Sequence, residues 1–176
     1  MKHYMKFTTM LAIMLFGMTA WAGDKTVGDM VDDGWILTKV NAELVGYEAQ
    51  NINVEVHQGK VLLAGFVSSD TTRDAAVDLT GKVKGVKQVI DHLQVQDHSR
   101  TAGTTLDDGV LAGKVKAGLA ENDRTDALDI NVEVRDGVVL LSGFVDSSAE
   151  AHQAIKLTQN IEGVNDVLDG MEVNES

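Results

Sequence analysis

No cysteine and no proline occur among the 176 residues, and cations are scarce: 15 Lys and Arg stand against 27 Asp and Glu, a net charge of −12. Without cysteine there are no disulfides, no thiolate metal sites and no lipid attachment at an N-terminal cysteine. In an oxidising compartment the fold must therefore hold by core packing alone. Proline ordinarily makes up about 5% of residues, and nothing in the sequence accounts for its absence. The shortage of cations excludes a nucleic-acid partner, whose phosphates require a basic face. It also argues against non-specific adsorption to anionic membranes. Most of the carboxylates read as a solvated surface that favours solubility.

The N-terminus carries an export pattern. A short basic segment with Lys2 and Lys6 precedes an uncharged stretch over 7–22, which ends in Ala20-Trp21-Ala22, a small-x-small cleavage pattern. The apolar stretch falls short of the ~20 residues that span a bilayer comfortably. The expectation is a signal peptide over 1–22, cut after Ala22, that delivers a non-lipidated protein to the periplasm; an uncleaved anchor is the alternative. Cleavage removes Lys2 and Lys6 and no acids, taking the net charge from −12 to −14. No membrane-spanning segment is expected in the mature chain.

The remainder repeats itself. Asp32-Asp33-Gly34 recurs as Asp107-Asp108-Gly109, and Ile52-Asn53-Val54-Glu55-Val56 recurs as Ile130-Asn131-Val132-Glu133-Val134, an offset of 78 residues. Across 52–67 and 130–145, 12 of 16 positions are identical, which two unrelated segments would not show. Two copies are too few for a solenoid and read as two domains. The expected division is a first domain over 23–97 with its core from about 31, a polar linker over 98–105 (HSRTAGTT), and a second domain over 106–176.

Both copies show the same succession of elements. Ile36, Val40 and Leu44, matched by Leu111, Val115 and Leu119, recur every four residues and make one apolar helix stripe. The Asp pairs stand just before this stripe, where a carboxylate is expected to cap the helix and complement its dipole. Ile52, Val54 and Val56 alternate with Asn53 and Glu55, as in a strand with one buried face. Gln58-Gly59 and Asp136-Gly137 are turn signals, and Val61-Leu62-Leu63 or Val139-Leu140-Leu141 return as the second strand of a hairpin. Gly65 and Gly143 inside the return strand suggest a bulge or a close backbone approach.

A second helix opens at Ser69 or Ser147, the latter with Glu150 in capping-box spacing. Ala76, Leu79, Thr80 and Val83, matched by Ala154, Leu157, Thr158 and Ile161, are its inner face, and Gly85 and Gly163 end it. Val86, Val89, Leu93 and Val95, matched by Val164, Val167, Met171 and Val173, form a last strand. The fold class is α+β: two tandem αββαβ modules, each with two helices on one face of a three-stranded mixed sheet. A module of about 70 residues has a thin core, and contact between the copies, or with a partner, would help it.

The segments DDGWILTKVNAEL, VEVHQGKVLLAGFV and VKGVKQVIDHLQV, repeated as DDGVLAGKVKAGL, VEVRDGVVLLSGFV and IEGVNDVLDGMEV, resemble the BON domain. A signal peptide followed by tandem BON domains without a lipidation cysteine resembles the osmotically inducible periplasmic (OsmY-like) family, over essentially the whole mature chain. The resemblance implies a non-catalytic part in envelope integrity under osmotic stress, through association with phospholipid or envelope surfaces. It also implies a second reading, chaperone-like protection of exported client proteins. A third reading is an adaptor that pairs with another envelope protein through a sheet edge.

No catalytic residue, metal site or cofactor emerges from the sequence. His57, His92, His98 and His152 lack metal-ligand spacing, and where the copies align they face Arg135, Gly170 and Asp74, so they read as surface histidines. There is no G-x-S-x-G elbow, and Gly81-Lys82-Val83 lacks the features of a phosphate loop. The acidic loop 122–133 has EF-hand length but carries Arg124 and Ala127 where an acid and a glycine are needed, which leaves at most weak divalent binding.

Two features of the first copy suit binding. Lys82, Lys84 and Lys87 cluster at the end of the second helix, where the second copy has Asn160, Glu162 and Asn165. They could meet lipid phosphates, although lysines there also serve the last helical carbonyls and the dipole. Trp35 stands where the second copy has Val110; it suits a membrane interface and equally the edge of a small core.

Overall fold

In a computed structural model of the chain, the described residues are 27–96 and 102–174; the export segment 1–22, with residues 23–26, 97–101 and 175–176, lies outside them. Each repeat folds as helix, hairpin, helix, strand. The first comprises α1 (Val27–Glu43), β1 (Ile52–His57), β2 (Lys60–Val67), α2 (Asp70–Gly81) and β3 (Gln88–Val95). The second comprises α3 (Ala102–Ala120), β4 (Asn131–Arg135), β5 (Val138–Val145), α4 (Ser148–Gln159) and β6 (Asp166–Val173). In each module the hairpin's return strand is central, antiparallel to β1 or β4 and parallel to β3 or β6. A parallel pair needs a crossover, and α2 and α4 supply it.

The first helices start earlier than their sequence pattern suggests. α1 begins at Val27 and α3 at Ala102, so residues 102–105, expected to be linker, are already helical. Asp33 and Asp108 consequently lie within the helices and do not cap them; both are buried. The second helices begin where expected. Ser69 Oγ accepts from the Thr72 amide at 3.1 Å, and Ser147 Oγ from the Glu150 amide at 3.2 Å. Glu150 completes its half of the motif one residue early, accepting from the Asp146 amide at 3.1 Å.

The central strands carry apolar residues on both faces, which explains why residues 61–67 and 139–143 are buried throughout, with Phe144 half-buried. Val61, Leu63 and Val67 face the helices and join Ile36, Val40, Leu44 and Leu93 in one core; Val139, Leu141 and Val145 join Leu111, Val115 and Leu119 in its counterpart. The alternate residues face the other module. Ala64, Phe66 and Leu140 form a third, smaller core between the sheets, with Val138 and Leu168 packed against it. The order of layers is therefore helices, sheet, sheet, helices.

This sheet–sheet contact changes the reading of two histidines. His57 and His92, expected on the surface, are half-buried between the modules: the His57 ring lies 5.4 Å from that of Phe144, and His92 Nε2 lies 3.1 Å from Glu172 Oε1. The Arg135 guanidinium sits 5.3 Å over the Phe66 ring. His152 is exposed, and His98 falls outside the described residues.

Gly65 and Gly143 are needed for backbone proximity. A Cβ on Gly65 would stand 2.0 Å from the Asn51 carbonyl oxygen, and one on Gly143 2.0 Å from that of Asp129, with φ at +136° and +135°. No side chain can be accommodated while β1 and β4 keep their register. Gly65→Ala and Gly143→Ala are each expected to destabilise the protein by about 3 kcal/mol. Gly34 offers the contrast, because it sits exposed inside α1 with nothing within 4 Å of the place a methyl group would occupy. Gly34→Ala should raise stability by about 0.5–1 kcal/mol, and urea unfolding of the three variants measures all of these changes.

Candidate functional site

At one end of the first module, α1, the β1–β2 turn and the loop after α2 converge on a groove of about 520 Å³. It is lined by Asp32, Trp35, Ile36, Gly59, Lys84 and Lys87 among others. The turn is the fixed point. Gln58 and Gly59 have φ of 52° and 82°, the double left-handed conformation of a type I′ hairpin turn, which matches the twist of the strands it joins. Its outward amides would be left without a protein partner except that Asp33 reaches them from α1: the carboxylate accepts from the Gln58 and Gly59 amides, each at 2.8 Å. Helix one is thus tied to the hairpin by charge-assisted bonds.

The turn's carbonyls are also engaged. The Lys87 amide donates to Gly59 O at 2.9 Å, and Lys87 Nζ to Gln58 O at 2.9 Å. Gly85, at φ +97°, lets its loop pass close to α1, since a Cβ there would come 3.1 Å from Ile36 Cδ1. Gly59 likewise admits the Gly85 carbonyl, 3.0 Å from where its own Cβ would be.

The second module repeats this frame with different side chains. The Asp136-Gly137 turn has φ of 53° and 78°, and the Asp108 carboxylate accepts from the Gly137 amide at 3.3 Å. Asn165 takes the part of Lys87, its amide donating to Gly137 O at 2.8 Å and Nδ2 to Asp136 O at 3.1 Å. Gly163, at φ +101°, brings its loop against Leu111. The equivalent groove, about 510 Å³, is lined by Asp107, Val110, Lys114, Asp136 and Glu162 among others. One scaffold therefore carries a Trp-and-Lys groove in the first module and an acidic one in the second.

The four candidate binding residues are brought to one end of the first module in different circumstances. Lys87 is committed to the turn. Lys82 is exposed and pairs with Asp78 one helical turn away, a contact worth little at the surface. Lys84 is exposed between them and lines both the main groove and a shallower one of about 250 Å³ beside it. Trp35 lines both as well and is 46% exposed. Sequence reasoning missed Lys39, whose Nζ stands 5.8 Å over the Trp35 ring. The i, i+4 spacing on α1 was the available signal. The site is accordingly an exposed indole flanked by Lys39 and Lys84, on a frame held by Asp33 and Lys87. Among the described residues no cluster of three or more His, Asp or Glu could hold a metal ion, and no helix is long and apolar enough to cross a membrane.

Comparison with known proteins places this geometry in context. The BON domain family matches residues 32–97 and 107–175. Osmotically-inducible protein Y of Escherichia coli K12 is 35% identical over 145 residues, spanning 80% of this chain and 72% of the relative. Outer membrane lipoprotein DolP of Haemophilus influenzae is 31% identical over 149 residues, spanning 82% and 76%. Among solved structures, the C-terminal domain of CdsD, a type III secretion structural protein of Chlamydia trachomatis, aligns with 80% of the chain and 98% of its own length, at 11% identity and a TM-score of 0.35.

The frame's dependence on one carboxylate is testable. Asp33→Ala removes both acceptors from the turn amides and should cost about 2–3 kcal/mol. Chemical denaturation gives the stability loss. Amide exchange of Gln58 and Gly59 should rise well beyond that of residues in α2.

Proposed function

The chain belongs to the BON-domain family, and from that membership we propose a non-catalytic periplasmic protein that protects the cell envelope under osmotic stress by reversible binding to anionic phospholipid surfaces. The observation that carries this reading is the exposed Trp35 between Lys39 and Lys84. An indole combines an apolar body with a polar N–H and settles at the headgroup level. A lysine near an anionic membrane contributes about 1 kcal/mol. The chain as a whole repels such a surface through its negative charge, so contact must be made by a local patch, and the first module supplies one. The names of two relatives, one osmotically inducible and one an outer membrane lipoprotein, support the envelope setting.

The alternative of a holdase for exported client proteins needs accessible apolar surface between the modules. That surface is occupied here, because Ala64, Phe66 and Leu140 are buried between the two sheets. The adaptor reading would use the outer edges of β1, β3, β4 or β6 and predicts one stoichiometric partner on crosslinking.

Co-sedimentation of residues 23–176 with anionic and zwitterionic vesicles at two salt concentrations discriminates among these. The expected outcome is pelleting with anionic vesicles only, reduced by salt. Lys84→Glu should weaken binding about tenfold or more, and the triple Lys82/Lys84/Lys87→Glu variant should abolish it. No pelleting under any condition would sink the lipid reading and move the weight to protein clients.

A further inference from the structure

The contact between the modules obeys a pseudo-two-fold relation that follows the sequence repeat. His57 meets Phe144, and Arg135, the residue 78 positions after His57, meets Phe66, the residue 78 positions before Phe144. Likewise the Glu133 carboxylate lies 3.2 Å from the Cβ position of Gly65, and that of Glu55 lies 3.4 Å from the Cβ position of Gly143. When residue i meets j and the counterpart of j meets the counterpart of i, the interface is isologous in form, as in a symmetric dimer. The two sheet faces are therefore versions of one self-complementary surface.

The two-fold relation breaks at its axis. His92 packs on Gly170, its own counterpart, and a Cβ at Gly170 would stand 3.2 Å from His92 Cβ. Two first-module faces brought together in the same way would set His92 Cβ against His92 Cβ at that separation, tighter than ordinary contact, so that the sheets would have to give by a few tenths of an ångström at the axis. The partner of His92 would also change, because Gln94 occupies the position that Glu172 holds in the second module. The first-module face thus fits a sheet with no side chain at the axis and an acid two residues further on.

We infer that the first-module sheet face is a docking surface selective for the second-module face, that it accepts this face from another copy of the chain as well as from its own, and that the His92–Gly170 contact disfavours pairing between two first-module faces. The inference stands apart from lipid binding, since the groove at Trp35 lies on helix one and the loops, on the other side of the sheet.

Complementation between full-length copies, residues 23–176, tests it. Ala64→Arg blocks the first face and Ser142→Arg the second; both positions are buried between the sheets. Each variant alone should scatter as a more extended particle than the parent, with its far-UV circular dichroism unchanged. The mixture restores one native pair of faces in trans and should form a 1:1 heterodimer by light scattering. Ser142→Arg alone, with only first-module faces free, should stay monomeric. Adding His92→Gly should make it self-associate at least tenfold more tightly. A mixture that stays monomeric, or a Ser142→Arg chain that self-associates as tightly as its His92→Gly derivative, overturns the inference. The pair Phe66→Asp and Phe144→Asp repeats the experiment with different chemistry, should an arginine variant lose its helical signal.

Discussion

Everything in this molecule depends on two central strands that are buried on both faces. A module of about 70 residues can bury only one modest core between its helices and its sheet. Here β2 and β5 also carry a second row of apolar residues, Leu62, Ala64 and Phe66 against Leu140 and Phe144, that would face water in an isolated module. Packing the two sheets against each other buries Leu62, Ala64, Phe66 and Leu140, half-buries Phe144, and makes the tandem repeat one layered body. Glu55, His57, Glu133 and Arg135 then ring the apolar centre, so the contact is apolar within and charged at its margin, much as in the interface between two separate proteins.

The opposite ends of the modules are thereby left free to diverge. The Asp33 and Asp108 carboxylates, the left-handed turns and the loop glycines keep the same backbone frame in both copies, while the side chains around it differ. Trp35 and Lys84 in one groove are replaced by Val110 and Glu162 in the other. Duplication thus preserves the scaffold and changes the charge of the presented surface.

Much of this was legible in the sequence because local periodicity and turn chemistry agree with the tertiary structure. The stripe Ile36, Val40, Leu44, the alternation over β1 and the type of residue at Gln58-Gly59 each specify their element without help from distant contacts. Four things were not legible. The helix starts at Val27 and Ala102 carry no cap signal, and Asp33 and Asp108 looked like caps because nothing local reveals a hydrogen bond to a turn 25 or 29 residues away. Asn53, Glu55 and His57 have the polarity of a solvated strand face, and only the second sheet shows them to be an interface. Lys39 carries no signal beyond its i, i+4 spacing from Trp35, a spacing that a solvated helix face shows equally. Of the candidate lysines, Lys87 proved to complete the turn, a role its spacing from Gln58 could not disclose.

The most direct test of the functional account is the fluorescence of Trp35, the only tryptophan in residues 23–176. With anionic vesicles its emission should shift to the blue as the indole leaves water, and it should stay unchanged with zwitterionic vesicles and in the Lys84→Glu variant. An emission spectrum indifferent to anionic vesicles, in a protein shown to be folded, would contradict the claim that this end of the first module meets the membrane.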